Sequence, residues 1–230
     1  MSSYDDLEQY PTRHTYVRLT VIALWENLPL MLLASGLFSL LCAPAALLAL
    51  LGLLGPALVV GTLTVAPAWA ALLALEASVL RGIHIHIGVM VWAFRRTWTR
   101  SVALGLLVLI PLLAGLFTLS ILALPEVPLV VWLGLAADGL GLLLLASLYL
   151  YAFPLLVLYD AGVYPSLRNA LILASRYWIN TLGLLSLGVL SGLSVLYLSS
   201  GLLFFMPAVW GIFIVNNCRM VMYEETGVTS

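Results

Sequence analysis

The chain contains no lysine. All nine of its basic residues are arginines, and charged residues of both signs make up only 8% of 230, against roughly a quarter in an ordinary soluble domain. Between Leu28 and Leu75 there is no Asp, Glu or Arg at all. A net charge of −1 and the lack of any basic run leave no argument for a nucleic-acid partner. Cysteine occurs twice, at Cys42 and Cys218, too far apart and, in the topology below, too near opposite faces for a disulfide or a metal pair. Also missing are a phosphate-binding glycine loop, an H-E-x-x-H helix and a G-x-S-x-G elbow. Polar residues are too sparse for a Ser/His/Asp triad. No enzyme chemistry, cofactor or metal is therefore expected. His84 and His86 alternate with isoleucines like half a metal site, but no further ligand is near in sequence, and a solvated pair is the expectation.

What the chain has is hydrophobic residues, 63% of the total. About 20 consecutive apolar residues suffice to cross a bilayer, and the uncharged run of Leu28–Leu75 is long enough to cross twice. Reading apolar runs between turn-forming residues predicts an all-α, polytopic transmembrane bundle of about six spans. These cover 19–42, 57–80, 101–124, 129–158, 179–198 and 201–222, within one domain of 19–222 flanked by tails 1–18 and 223–230. Pro29 interrupts the first span, and Pro44 to Gly55 either extends a kinked first helix or forms an interfacial segment. The Pro125-Glu126-Val127-Pro128 stretch closes the third span as a compact turn. Asp5, Asp6 and Glu8 precede the first span, unlike the basic start of a cleavable signal peptide, so that span is expected to stay as an anchor.

All nine arginines fall between spans or beside them on one side: Arg13 and Arg18; Arg81, Arg95, Arg96 and Arg100; Arg168 and Arg176; Arg219. Positive charge is retained in the cytoplasm, so both tails are expected there, with the protein in a bacterial inner membrane. Two of the arginine-bearing connections have the pattern of amphipathic surface helices. In one, Ile87, Met90, Val91, Phe94 and Trp98 oppose Arg95, Arg96 and Arg100. In the other, Leu167, Ala170, Leu171, Ala174 and Tyr177 oppose Arg168 and Arg176, with Pro165 fit to begin the helix. Arg95, Arg96, Arg100, Arg168 and Arg176 are thus candidate contacts for anionic lipid headgroups or a cytoplasmic partner.

The candidate intramembrane polar residues are Glu26 and Asn27 in the first span, Glu76 near the end of the second, and Asp138 in the fourth. A carboxylate in a membrane is costly and marks a functional site or a pairing with arginine. For Glu26 and Glu76, pairing with Arg18 and Arg81 is the simpler expectation. Asp138 has no arginine at its depth. It is either buried in a span that begins after Pro128, or wet because the span begins at Asp138-Gly139.

Three stretches carry a family likeness: Thr64-Val65-Ala66-Pro67-Ala68-Trp69-Ala70-Ala71-Leu72 leading to Leu80-Arg81-Gly82; Trp92-Ala93-Phe94-Arg95-Arg96-Thr97-Trp98; and Tyr151-Ala152-Phe153-Pro154-Leu155-Leu156 through Tyr159-Asp160 to Asn169-Ala170-Leu171. In that order they resemble the YesL-like family of bacterial membrane proteins, from about Ala57 onward. The chain departs from the pattern in its apolar segment at Pro44 to Gly55 and in Ile83 to Gly88, where the family has a short acidic stretch. The resemblance implies a small multispan protein often encoded beside carbohydrate-uptake transporters, with no agreed catalytic residues. The expected function is therefore a non-enzymatic accessory or regulator of a transport system. Its partners would be the bilayer and subunits of an ABC transporter. The rival is a permease subunit with a path lined by Glu26, Glu76 and Asp138. Asp160-Ala161-Gly162 is a distant echo of the permease coupling loop, but the Glu-Ala-Ala part is absent.

Overall fold

The computed structural model describes residues 16–82, 86–122 and 128–226, and among these the chain is all-α. Arg13, His84 and the Pro125–Val127 turn lie outside the described residues. The helices are α1 (Tyr16–Glu26), α2 (Leu28–Leu50), α3 (Leu54–Leu80), α4 (Gly88–Leu122), α5 (Leu129–Leu158), α6 (Val163–Arg176), α7 (Trp178–Tyr197) and α8 (Met206–Thr226), with a 3-10 turn at Ser200–Phe204 before the last. Five of them, α2, α3, α4, α5 and α7, are long and apolar enough to cross a membrane. Helix α8 is also 21 residues long. Asn216, Asn217, Arg219, Glu224 and Glu225 set it apart from those five, although it packs among them.

Of the prolines that punctuate the first hairpin, Pro29 and Pro56 begin helices rather than end them, and Pro44 lies inside one. Pro29 sits in the first turn of α2, where its missing N–H costs nothing. The segment expected as a first span is therefore shared between α1 and α2, which part at Asn27. Helix α2 then continues through Pro44 to Leu50. It closes at Gly52, whose φ of 78° suits a residue without Cβ; Gly52 N–H bonds to Ala49 O and Leu53 N–H to Leu48 O, both at 3.0 Å. This doubly bonded closure satisfies carbonyls that the helix end would otherwise leave orphaned. Pro56 falls in the first turn of α3.

Helix α4 joins what the sequence divides. The expected surface helix ending near Arg100 and the expected span from Ser101 form one continuous 35-residue helix. No glycine or proline separates them, and backbone hydrogen bonding continues unless something stops it. At 1.5 Å per residue α4 is about 52 Å long, against a hydrocarbon core of about 30 Å, so its first turns stand beyond the apolar layer. The second expected surface helix is a separate element, α6, with Ser166, Ala170 and Leu173 buried on one side. Helix α5 starts directly after Pro128, which puts Asp138 inside a helix.

Helix α3 is the centre of the bundle, packed by α2, α4, α5 and α8. Its half from Pro67 to Leu80 is almost wholly buried and rich in alanine. Small residues let helix backbones approach where lipid supplies no hydrophobic drive for association. At the α3–α4 crossing a Cβ on Gly105 would lie 3.0 Å from Ala66 Cβ. The buried core gathers at the end that carries the arginines: α3 beyond Pro67, α5 from Leu150 to Leu156, and α8 from Ala208 to Val221. Toward the other end the helices present leucine, phenylalanine and isoleucine outward, as with Ile110, Phe117 and Leu140.

Candidate functional site

The expected acidic residues do not converge. Glu26 is exposed at the end of α1. Asn27 serves the break between α1 and α2: its side-chain Nδ2 donates to Ala23 O at 3.0 Å, and its carbonyl accepts from Met31 N–H at 3.0 Å. Asp138 is half-buried near the arginine-free end of α5, with the Thr118 hydroxyl 3.5 Å away. Glu76 is fully buried four residues from the end of α3, and neither carboxyl oxygen has a hydrogen-bond partner among the described residues. It lies against Gly211 of α8, where an added Cβ would meet the carboxyl group. Neither Arg81 nor Arg18 pairs with it. Arg81 Nη2 instead donates to Leu158 O at 3.4 Å.

Around this end of the core is a polar network that the sequence reading missed. Asn216 Nδ2 donates to Thr20 Oγ1 at 2.6 Å and to Tyr16 O at 3.1 Å, tying α8 to α1. Asn217 accepts from Asn180 Nδ2 at 3.2 Å and donates to Tyr151 OH at 3.4 Å, while Tyr151 OH and Thr181 Oγ1 lie 3.2 Å apart. Ser35 Oγ accepts the Ala208 N–H at 3.0 Å in the first turn of α8, where helix N–H groups lack internal partners. The one legible signal was the adjacent pair of amides, Asn216-Asn217, within an apolar segment.

Two cavities of about 690 and 820 Å³ lie toward the arginine-free half and share a wall that includes Val65, Trp69, Tyr149 and Phe153. Tyr149 hydroxyl donates to Leu104 O, and Trp69 stacks at 5.2 Å on Trp210. With the Tyr149 hydroxyl engaged in this way, the wall is largely apolar toward the cavities. Asp138 lines the larger cavity and Glu76 lines neither. Such surfaces suit hydrocarbon and offer few groups to replace the water around a sugar.

The richest polar surface is at the arginine end. Asp160, in the loop between α5 and α6, accepts from Arg96 Nη2 and Arg100 Nη1, each at 2.7 Å. Its φ of 51° is a left-handed conformation that aspartate tolerates better than most residues. The hydrogen bonds and charge of these guanidinium groups hold its carboxyl below the usual carboxylate range, so the bridge stays formed at neutral pH. Arg96 also lies 4.7 Å from the Trp92 ring. At the far end of α6, Arg176 pairs with Glu225 at 2.8 Å, and Tyr177 OH donates to the same carboxylate at 3.0 Å. Arg95 and Arg168 are exposed. Among the described residues no group of three or more His, Cys, Asp or Glu side chains is placed to hold a metal ion.

These features define a helical membrane protein with a packed, polar-tied arginine end and a splayed apolar end. Comparison with protein-family models, with curated proteins and with solved structures finds no match.

Proposed function

We propose that the chain is a non-enzymatic membrane protein that assists or regulates a carbohydrate transport system, as its resemblance to the YesL-like family implies. In this reading α8 is the sixth span. The arginine end and both tails face the cytoplasm of a bacterial inner membrane, as retention of positive charge requires. One observation carries the preference for an accessory over a conduit: Glu26, Glu76 and Asp138 are apart, and the two large cavities are apolar. A hydrated solute would find no continuous polar lining there. The exposed arginines of α6, Arg168 and Arg176, are the proposed contact for an ABC transporter subunit.

The orientation has a direct assay because trypsin cuts only after arginine and lysine. The protein is expected to survive trypsin added to spheroplasts and to be cut in inverted membrane vesicles. The reverse pattern overturns the orientation. For the function, isolation in mild detergent is expected to retain the subunits of a transporter, and Arg168→Glu with Arg176→Glu to release them. Saturable solute uptake into vesicles by this protein alone would refute the accessory role. The rival permease reading draws on one feature, that α6 is a short separate helix between two spans, as a coupling helix is. A nucleotide-binding subunit bound to this chain without any other membrane subunit would favour it.

A further inference from the structure

Three guanidinium groups converge where α3 and α5 end. Arg81 reaches the last carbonyl of α5, while Arg96 and Arg100 hold Asp160 just beyond it. Two of them, Arg81 and Arg96, line a cleft of about 440 Å³, walled also by Ser78, Trp92 and Asp160 over an apolar floor that includes Ala77 and Leu156.

A bland account is that the arginines simply cap two helix C-termini and neutralise Asp160. The charges do not balance on that account. Each helix end contributes roughly half a negative charge and Asp160 one more, which sums to about −2 against Arg81, Arg96 and Arg100, while a fourth arginine, Arg219, donates to Leu80 O at the end of α3 at 3.0 Å. Positive charge is in surplus even before Arg219 is counted. Each guanidinium also carries five N–H donors. Asp160 and the Leu158 carbonyl engage only Arg81 Nη2, Arg96 Nη2 and Arg100 Nη1. Surplus charge and surplus donors in a fixed fork match a tetrahedral oxyanion. Asp160 keeps the fork of Arg96 in place instead of letting it sweep through solvent.

The surroundings favour one source for that anion. Trp92 is 58% and Val91 48% exposed on the same turn of α4, and tryptophan beside arginine is characteristic of headgroup depth. The apolar floor places hydrocarbon surface directly under the guanidinium rim. We propose that this cleft binds the phosphate of an anionic phospholipid, with Arg81 and Arg96 as direct contacts and Asp160 as the positioning residue. The choice of a lipid rests on the membrane-spanning fold and not on the transport reading, so failure to retain a transporter would leave it standing.

The test is native mass spectrometry of the full chain in mild detergent, titrated separately with phosphatidylglycerol, phosphatidylcholine and inorganic phosphate. One phosphatidylglycerol per chain is expected to bind in preference to phosphatidylcholine. Arg81→Gln with Arg96→Gln should weaken it about thirtyfold, since each arginine near a membrane surface contributes about 1 kcal/mol and tenfold corresponds to about 1.4 kcal/mol. Arg168→Gln with Arg176→Gln on α6 should leave it unchanged. Should the double variant fail to fold, Arg96→Lys keeps the charge and is expected to weaken binding severalfold by losing the fork. Equal binding of the two lipids, or undiminished binding by both the double variant and Arg96→Lys, overturns the proposal. Binding of inorganic phosphate at these arginines without lipid preference would assign the cleft to a soluble phosphate and overturn the lipid source.

Discussion

Gly211→Ala is expected to lower the thermal midpoint of the protein in detergent more than any other single methyl group added to the bundle. Gly211 is where α8 passes over Glu76, and a Cβ there would lie 2.6 Å from Glu76 Oε1. No real contact is that short. The carboxyl is fully buried, so it cannot swing into solvent to make room; either its flexible side chain is forced into another rotamer within the core or α8 moves away from the central helix. Overpacking of this kind costs about 1–3 kcal/mol. Glu76→Ala removes the obstacle and also an unpartnered carboxyl, at the expense of a cavity. The double variant Glu76→Ala/Gly211→Ala is therefore expected to be more stable than the sum of the single effects allows, by an interaction energy of about 1–3 kcal/mol. Strict additivity, or a neutral Gly211→Ala, would show that the two residues do not oppose one another.

The second large effect is expected from Asn216→Leu, and it is local. Helix α1 has 11 residues, too few to persist alone in water. Beside the packing of Ala23 and Leu24 on the core, the side-chain hydrogen bonds that tie it to α8 among the described residues are the two that Asn216 donates, to Thr20 Oγ1 and Tyr16 O. Leucine has similar bulk and neither donor. Side-chain hydrogen bonds inside membrane proteins are worth about 0.6 kcal/mol each on average and at most about 1.7, so the pair contributes about 1–2 kcal/mol. Hydrogen exchange over 16–26 is expected to rise roughly tenfold while α3 and α5 keep their protection. A uniform rise across all helices would mean that Asn216 supports the whole core instead of anchoring α1.

The helical class, the apolar spans and the placement of α6 were legible because each depends on local pattern: run length, the 3.6-residue period, and punctuation by glycine and proline. Where proline has two meanings the reading slipped. Pro29 and Pro56 look like interruptions in a one-dimensional sequence, yet both stand in the first turns of helices. The division of α4 at Ser101 failed for a related reason. Composition changes there from amphipathic to apolar, but a helix passes from one solvent to another without breaking. Arg96 and Arg100 were visible as candidates, and their partner Asp160 was visible only as part of a loop motif. The 60 or more positions between them leave no periodicity to read.

By itself the sequence determined that this protein is helical and apolar enough to span a membrane, and it set the expectation that every arginine lies on one side. Those are statements about solvent: charge and backbone polarity must be satisfied where lipid cannot do it. Only the tertiary structure decided that Glu26, Glu76 and Asp138 stay apart, that Glu76 is shut in beneath Gly211, and that Arg96 and Arg100 meet at Asp160 while Arg81 reaches Leu158 O close by. The reason is that contacts among apolar helices are set by which small residues allow two backbones to meet. That choice involves pairs of distant positions, and no single stretch of chain contains it.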